Sequence, residues 1–287
     1  IERDGEKKYR WAHDKVQEAA LSLGEAQESS FQFEIGTILH KTLQEDELDD
    51  LIFEVVDLIN QGNVRRRPEL AMLNLQAAEK ARQICAFTNG LSYVDRGTEL
   101  LPSDRWTAHR KTTLRLYTLG VQLGLATGDY STMDHYRNEI LSQEDCTTME
   151  KLPIQVAHIN RLCMSSQYSD AIELSLEFLK ELGCNLIPHR SLVSIQAIAS
   201  LMGTIKMAKK IVPEQFCQSR PLLRDRRQKA IIEVLAKLGY ASFLSGNKLV
   251  TALATTRTIQ ITMKHGIHSE SGIAFATLGL IAKSEFG

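Results

Sequence analysis

Apolar positions along the chain recur with a helical period. Between Asp170 and Leu182, Ile172, Leu176 and Leu179 share a face with Ala171, Leu174, Phe178 and Leu182, and Gly183 follows. A stripe this broad predicts a helix packed on two neighbours. The glycine suits the left-handed residue that closes a helix. A second pattern runs from Pro68 to Phe87, with Leu70, Leu73, Ala77 and Ala81 in line. Proline is tolerated at the first helical turn because its missing N–H would be unpaired there. Pro153 either kinks a helix or marks its first turn. Read this way, the chain predicts helices at 14–23, 29–43, 46–61, 68–87, 88–101, 105–127, 131–143, 147–166, 169–183, 191–211, 222–245, 247–265 and 269–285. Capping boxes are expected at Ser29-x-x-Gln32, Ser131-x-x-Asp134 and Thr147-x-x-Glu150. One strand is predicted, Lys8 to Ala12, where Tyr9 and Trp11 alternate with Arg10 just before a helix.

The helices pair. Thr127-Gly128-Asp129-Tyr130, Ser165-Ser166-Gln167-Tyr168 and Ser245-Gly246-Asn247-Lys248 each lead into a second helix, and their last positions are spaced by 38 and 80 residues. Asn89-Gly90 extends the same ladder upstream. Helix pairs of about 40 residues stack into superhelices. Tyr168-x-x-Ala171-Ile172 is similar to the tetratricopeptide type of repeat. The fold expected is therefore all-α, a tetratricopeptide-like helix-pair superhelix.

Composition agrees. With 17 Gly and 6 Pro in 287 residues, the chain falls below the average usage of about 7% and 5%. At 43% hydrophobic and 24% charged it reads as globular. The net charge of −1 gives no global reason for a nucleic-acid or membrane partner. The longest strongly apolar run, Ile273 to Ala282, is half the length of about 20 residues that a membrane helix needs. The charged start, Ile1-Glu2-Arg3-Asp4, has no signal-peptide core and no initiator Met, so an internal piece of a longer cytoplasmic protein is expected. The five cysteines form no C-x-x-C and read as reduced thiols, with Cys85, Cys163 and Cys184 expected in the core.

Catalytic motifs are missing from the sequence: no G-x-x-x-x-G-K-[ST], no G-x-G-x-x-G, no H-E-x-x-H, no G-x-S-x-G. His265-Gly266-Ile267-His268 has metal-like spacing, but Gly266 should end a helix and scatter the rings. Neither a metal nor a cofactor is expected in this segment. Charge is uneven. Glu45 to Asp57 holds seven acids and no base, read as an exposed acidic first turn. From Lys206 to Lys229 there are eight bases, Lys206, Lys209, Lys210, Arg220, Arg224, Arg226, Arg227 and Lys229, against Glu214 and Asp225. This cluster reads as a solvated face or a docking patch for an acidic partner. The alternative is a nucleic-acid-binding solenoid, disfavoured because Phe216 is the one aromatic among these bases.

The most specific stretch is Tyr9-Arg10-Trp11-Ala12-His13-Asp14-Lys15-Val16-Gln17-Glu18-Ala19-Ala20. It resembles the "Y-R-F-A-H-D-R-V-Q-x-A-A-Y" block of STAND-type AAA+ ATPases, large signalling proteins with a serine/threonine kinase-like domain before the ATPase and GAF and histidine-kinase domains after it. The likeness continues in Phe33 to Leu39 ("H-x-x-I-G-R-L-L"), Leu51 to Gly62 ("L-F-x-I-V-x-x-L-N-x-G"), Glu69 to Ala81 ("x-L-A-x-L-N-L-x-A-G-x-K-A") and Leu182 to Pro188 ("L-G-V-x-L-P"). The resemblance implies that 1–23 is the end of a winged-helix subdomain and 24–287 a tetratricopeptide-like arm. It implies ATP or ADP with Mg in an adjacent upstream ATPase domain. Partners would be that domain and the flanking kinase or GAF domains. Ala12-His13-Asp14 is also similar to the "M-H-D" motif of plant nucleotide-binding immune receptors, with Ala12 in place of Met. There the His approaches the β-phosphate of ADP. Two readings stand for this pair: a nucleotide sensor, in which His13 donates to a phosphate, or a buried His followed by Asp14 as a helix cap. The function expected is a non-catalytic regulatory arm of a signal-transduction ATPase-kinase.

Overall fold

A computed structural model describes residues 2–3, 9–10, 25–62, 67–187, 193–209, 216 and 220–286. The fold is all-α. In chain order the helices are α1 (Glu25–Thr42), α2 (Glu45–Asp50), α3 (Ile52–Asn60), α4 (Pro68–Gln83), α5 (Phe87–Leu100), α6 (Arg105–Ala108), α7 (Arg110–Thr127), α8 (Tyr130–Leu141), α9 (Thr148–Met164), α10 (Tyr168–Glu181), α11 (Val193–Ala208), α12 (Arg226–Leu244), α13 (Lys248–His265) and α14 (Ser271–Phe286). Of the expected strand, Tyr9–Arg10 pairs antiparallel with Glu2–Arg3, with Glu2 opposite Arg10. The expected helix at 14–23 lies outside the described residues.

Two expected helices are each broken in two. Residues 46–61 divide at Leu51 (φ −104°, ψ 17°). The acidic α2 buries nothing, whereas α3 buries Ile52, Val55, Val56 and Ile59, so the chain turns to bring that stripe inward. Residues 105–127 divide at His109 (φ −129°, ψ 32°). There His109 N still donates to Arg105 O and Thr113 N to His109 O, and the single Thr113 hydroxyl hydrogen is shared between the same two carbonyls, each 3.0 Å from Oγ1, so the break leaves those acceptors satisfied.

Four helix pairs share one connection. A residue with left-handed backbone stands two positions before the second helix: Cys85 (φ 61°), Gly128 (φ 76°), Ser166 (φ 59°) and Gly246 (φ 73°). In three of them the next amide reaches back to close the turn: Ala86 N to Ala81 O, Gln167 N to Leu162 O and Asn247 N to Ser242 O, each 2.8 Å. This is the bond that closes a Schellman cap. The ladder therefore starts at Cys85. Asn89-Gly90 lies inside α5, where a Cβ on Gly90 would stand 3.1 Å from Leu123. Cys85 is exposed because the turn carries it out of the core, contrary to the buried thiol expected, while Cys146, Cys163 and Cys184 are buried. The interval between Ser166 and Gly246 also holds α11, which packs on α13.

The caps also shift. Thr147 forms the expected box: its hydroxyl accepts from Glu150 N (3.3 Å) while the Glu150 carboxylate accepts from Thr147 N (2.9 Å). Ser29 lies within α1. Ahead of α8, Asp129 rather than Ser131 caps, accepting from Thr132 N (3.0 Å) and Thr132 Oγ1 (2.7 Å). The helix expected from 222 begins at Arg226, with Asp225 accepting from Gln228 N. Leu222 instead bridges to Ile267, and Leu223 N donates to Ile267 O at 2.8 Å. Pro153 lies inside α9.

The chain forms two compact units, Ile1–Arg137 and Asn138–Gly287. In the first, α3 packs on α1 and α4, and α4 and α5 pack on each other and on α7. A Cβ on Gly124 would meet Met133 N at 2.9 Å, so α7 and the start of α8 approach more closely than a side chain allows. In the second, α9, α10, α12 and α13 enclose a core that includes Phe178, Leu179, Ile232, Leu235 and Leu238. Burying each such side chain contributes about 1.5–3 kcal/mol. Leu201 of α11, Ile259 of α13 and Ala274 and Leu278 of α14 form a smaller cluster. Beside it runs a hydroxyl seam. Ser200 Oγ donates to Thr256 Oγ1 (2.8 Å), and Gln260 Nε2 donates to Ser200 Oγ (3.2 Å) and Thr204 Oγ1 (3.3 Å).

Candidate functional site

His13 and Asp14 lie outside the described residues, as does Lys210. The other seven bases of the cluster occupy separate elements. Lys206 and Lys209 are exposed at the end of α11. Arg224, Arg226 and Lys229 are exposed around the start of α12. Arg220 Nη1 donates to Met263 O at 2.8 Å, and its guanidinium stands 5.6 Å from the Phe216 ring centre. Arg227 Nε donates to Leu182 O at 2.7 Å. Both carbonyls belong to the C-terminal ends of helices, α13 and α10, where a cation also complements the helix dipole. Arg220 and Arg227 thus act as helix caps, a role their sequence position did not announce. His265 ends α13 at Gly266 (φ 120°) and is exposed, while His268 Nδ1 accepts from Glu270 N at 3.3 Å. Among the described residues no group of three or more His, Cys, Asp or Glu could hold a metal ion.

The first unit holds an arrangement missed in the sequence. Tyr93 is the seventh residue of α5 and Tyr136 the seventh of α8. The Tyr93 hydroxyl donates to Asp57 Oδ1 of α3 at 2.9 Å. The Tyr136 hydroxyl donates to Asp95 Oδ1 of α5. Tyr93-Val94-Asp95 therefore links both ways. Residues two apart on a helix point to different sides, so the phenol reaches back to α3 while the carboxylate reaches forward to α8. Burial, first, and then the carboxylate partner push both phenol pKa values well above the ordinary 10.0. Rings brace both: Phe53 stacks on Tyr93 with centres 5.9 Å apart, and Tyr117 meets Tyr136 edge-on at 5.1 Å. The visible signal was Tyr-x-Asp at the seventh and ninth positions of α5 and Tyr-x-Asn at 136–138 in α8.

Beside the Tyr136–Asp95 pair opens a cleft of about 390 Å³, lined by Asp95, Thr98, Glu99, Ser131, Thr132, His135 and Tyr136. Of these lining residues, Glu99 accepts at Oε2 from Arg96 Nη1, 3.0 Å away. The lining offers carboxylate and hydroxyl acceptors and one imidazole. Such a set can recognise a polar or cationic group by hydrogen bonding. The phenol is held protonated, so it acts as a donor.

No family model matches the chain, and no solved structure matches it. It is similar to hybrid signal transduction histidine kinase G of Dictyostelium discoideum, at 21% identity over 326 residues that take in 96% of this chain. The chain spans 9% of that protein's length. The similarity relates the chain to a signal-transduction kinase. Among the described residues, no helix is long and apolar enough to cross a membrane.

Proposed function

We propose that the chain is a non-catalytic regulatory arm of a signal-transduction ATPase-kinase, coupling the sensing of a ligand or partner to the nucleotide state of an upstream ATPase domain. The observation that carries this reading is the similarity, along 96% of the chain, to a segment of a hybrid histidine kinase. The repeated helix pairs with one connection geometry support it, because such arrays present extended binding surfaces. So does the resemblance of 9–20 to the end of a winged helix next to an ATPase core. On this reading ATP or ADP and Mg belong to the upstream domain, and His13 with Asp14 would report on the β-phosphate. Two-state coupling requires the arm to interact differently with the two nucleotide states.

The test uses the longer protein. Removing 24–287 is expected to change both ADP retention and kinase output, and His13→Ala is expected to speed ADP release with the arm still in place. Unchanged retention and output in the shortened protein would reject the regulatory reading. Turnover of ATP by the purified 287-residue chain would reject its non-catalytic part.

A further inference from the structure

Helix α11 is apolar on two opposite sides. One side packs on α13 through Ala197, Leu201 and Thr204, all buried. The other carries Ile195 (67% exposed), Ile198 (57%) and Met202 (60%). Steps of three and four residues align these with Ala199, Lys206 and Lys209, which are also exposed. A contiguous apolar stripe left exposed on a helix ordinarily marks an interaction surface.

The stripe itself indicates what covers it. Its C-terminal end is cationic: Lys206 and Lys209 lie in line with Met202. Arg220 is fixed nearby by its bond to Met263, a residue packed on the same small core as Ile205 and Ala208 of α11. The segment from Val193 to Ala208 carries no acidic residue. A second copy laid symmetrically, α11 on α11, would therefore supply no carboxylate to those cations. A lipid surface is the poorer match too. Interfacial helices carry aromatic or Leu anchors and cations spread over the polar face, whereas this stripe has no aromatic and its cations sit at one end. Between its large side chains lie Ala199 and, at one edge, Gly203, where an added Cβ would meet nothing within 4 Å. Such small positions leave the grooves into which the ridges of another helix pack.

We propose that the exposed face of α11 docks an acidic amphipathic helix of a partner protein. The partner's apolar stripe would cover Ile195, Ile198 and Met202, and its carboxylates would meet Lys206 and Lys209. This is helix-in-groove recognition with charge fixing the direction of the helix. The proposal goes beyond the regulatory reading and does not depend on it.

The probe is a fluorescent peptide of about three heptads with Leu at the a and d positions and Glu at the flanking positions. It is titrated with the intact 287-residue chain and followed by anisotropy. Micromolar binding is expected. Ile198→Asp with Met202→Asp should weaken it by at least about tenfold, as loss of central apolar anchors does. Lys206→Glu with Lys209→Glu should weaken it several-fold and improve binding of a second peptide with Lys in place of Glu. All four positions are exposed, so unchanged helical circular dichroism is expected, and Ile195→Ser provides a milder check. No binding up to about 100 µM, a limit of weak association, would overturn the proposal, as would equal affinity in the Asp variants. Uptake by phosphatidylserine vesicles that is lost in the Asp variants, without peptide binding, would overturn it in favour of a membrane. A dimer that the Asp variants dissociate, again without peptide binding, would overturn it in favour of a second copy.

Discussion

Tyr93 and Tyr136 commit their phenolic hydrogens to carboxylates on neighbouring helices. Because both phenols titrate well above 10.0 in the folded chain, the unfolded chain loses these protons first as pH rises. The sign follows: their contribution is fully present below pH 10 and is lost above it, at up to about 1.4 kcal/mol per pH unit for each tyrosine. Urea midpoints measured between pH 9 and 12 should fall more steeply for the native chain than for the Tyr93→Phe, Tyr136→Phe variant. The opposite order would show that these hydroxyls are solvated. Little of this was legible beforehand. The partner carboxylates lie 36 and 41 residues upstream, and helical periodicity reports which face is apolar, not which helix lies opposite. Cys85 misled for a related reason. Its neighbours in sequence are apolar, but the left-handed turn takes it out to solvent.

At the scale of elements, helix type and placement were readable because the apolar stripes are long. The breaks at Leu51 and His109 were not, since each depends on where a neighbouring helix needs the next stripe. The caps separate two kinds of sequence signal. Thr147-x-x-Glu150 was legible and is formed. Ser131-x-x-Asp134 looked similar, but the chain starts its helix one residue earlier and uses Asp129. Thr147→Ala should therefore cost about 1 kcal/mol in chemical denaturation. Ser131→Ala should leave the midpoint unchanged, while Asp129→Ala lowers it. The hydrogen bonds from the Thr132 hydroxyl and amide hold the Asp129 carboxyl below its ordinary 3.8. Its contribution is accordingly present above pH 3.8 and lost as pH falls through the lower folded value.

For the molecule as a whole, the all-α class was legible from periodicity and from the scarcity of Gly and Pro. The regular ladder was legible in part, and the interval between Ser166 and Gly246 shows its limit: it is about twice the repeat in length, and its α11 packs on α13, a helix not adjacent to it in sequence. The basic cluster shows the same limit, because Arg220 and Arg227 are drawn off to cap helices that are distant in sequence. The uneven burial of the thiols has a kinetic consequence. Cys85 stands at the surface of the first unit, whereas Cys146, Cys163 and Cys184 are buried in the second, and burial pushes the Cys163 thiol pKa up as well. A maleimide should modify Cys85 at once and the three buried thiols at the rate at which their surroundings open. Peptide mass mapping over time would then time the fluctuations of the second unit against an internal zero, and equal rates at Cys85, Cys146, Cys163 and Cys184 would show that these four described thiols are not shielded in this way. The same cysteine that closes the first turn of the ladder thus starts the clock for the far end of the chain.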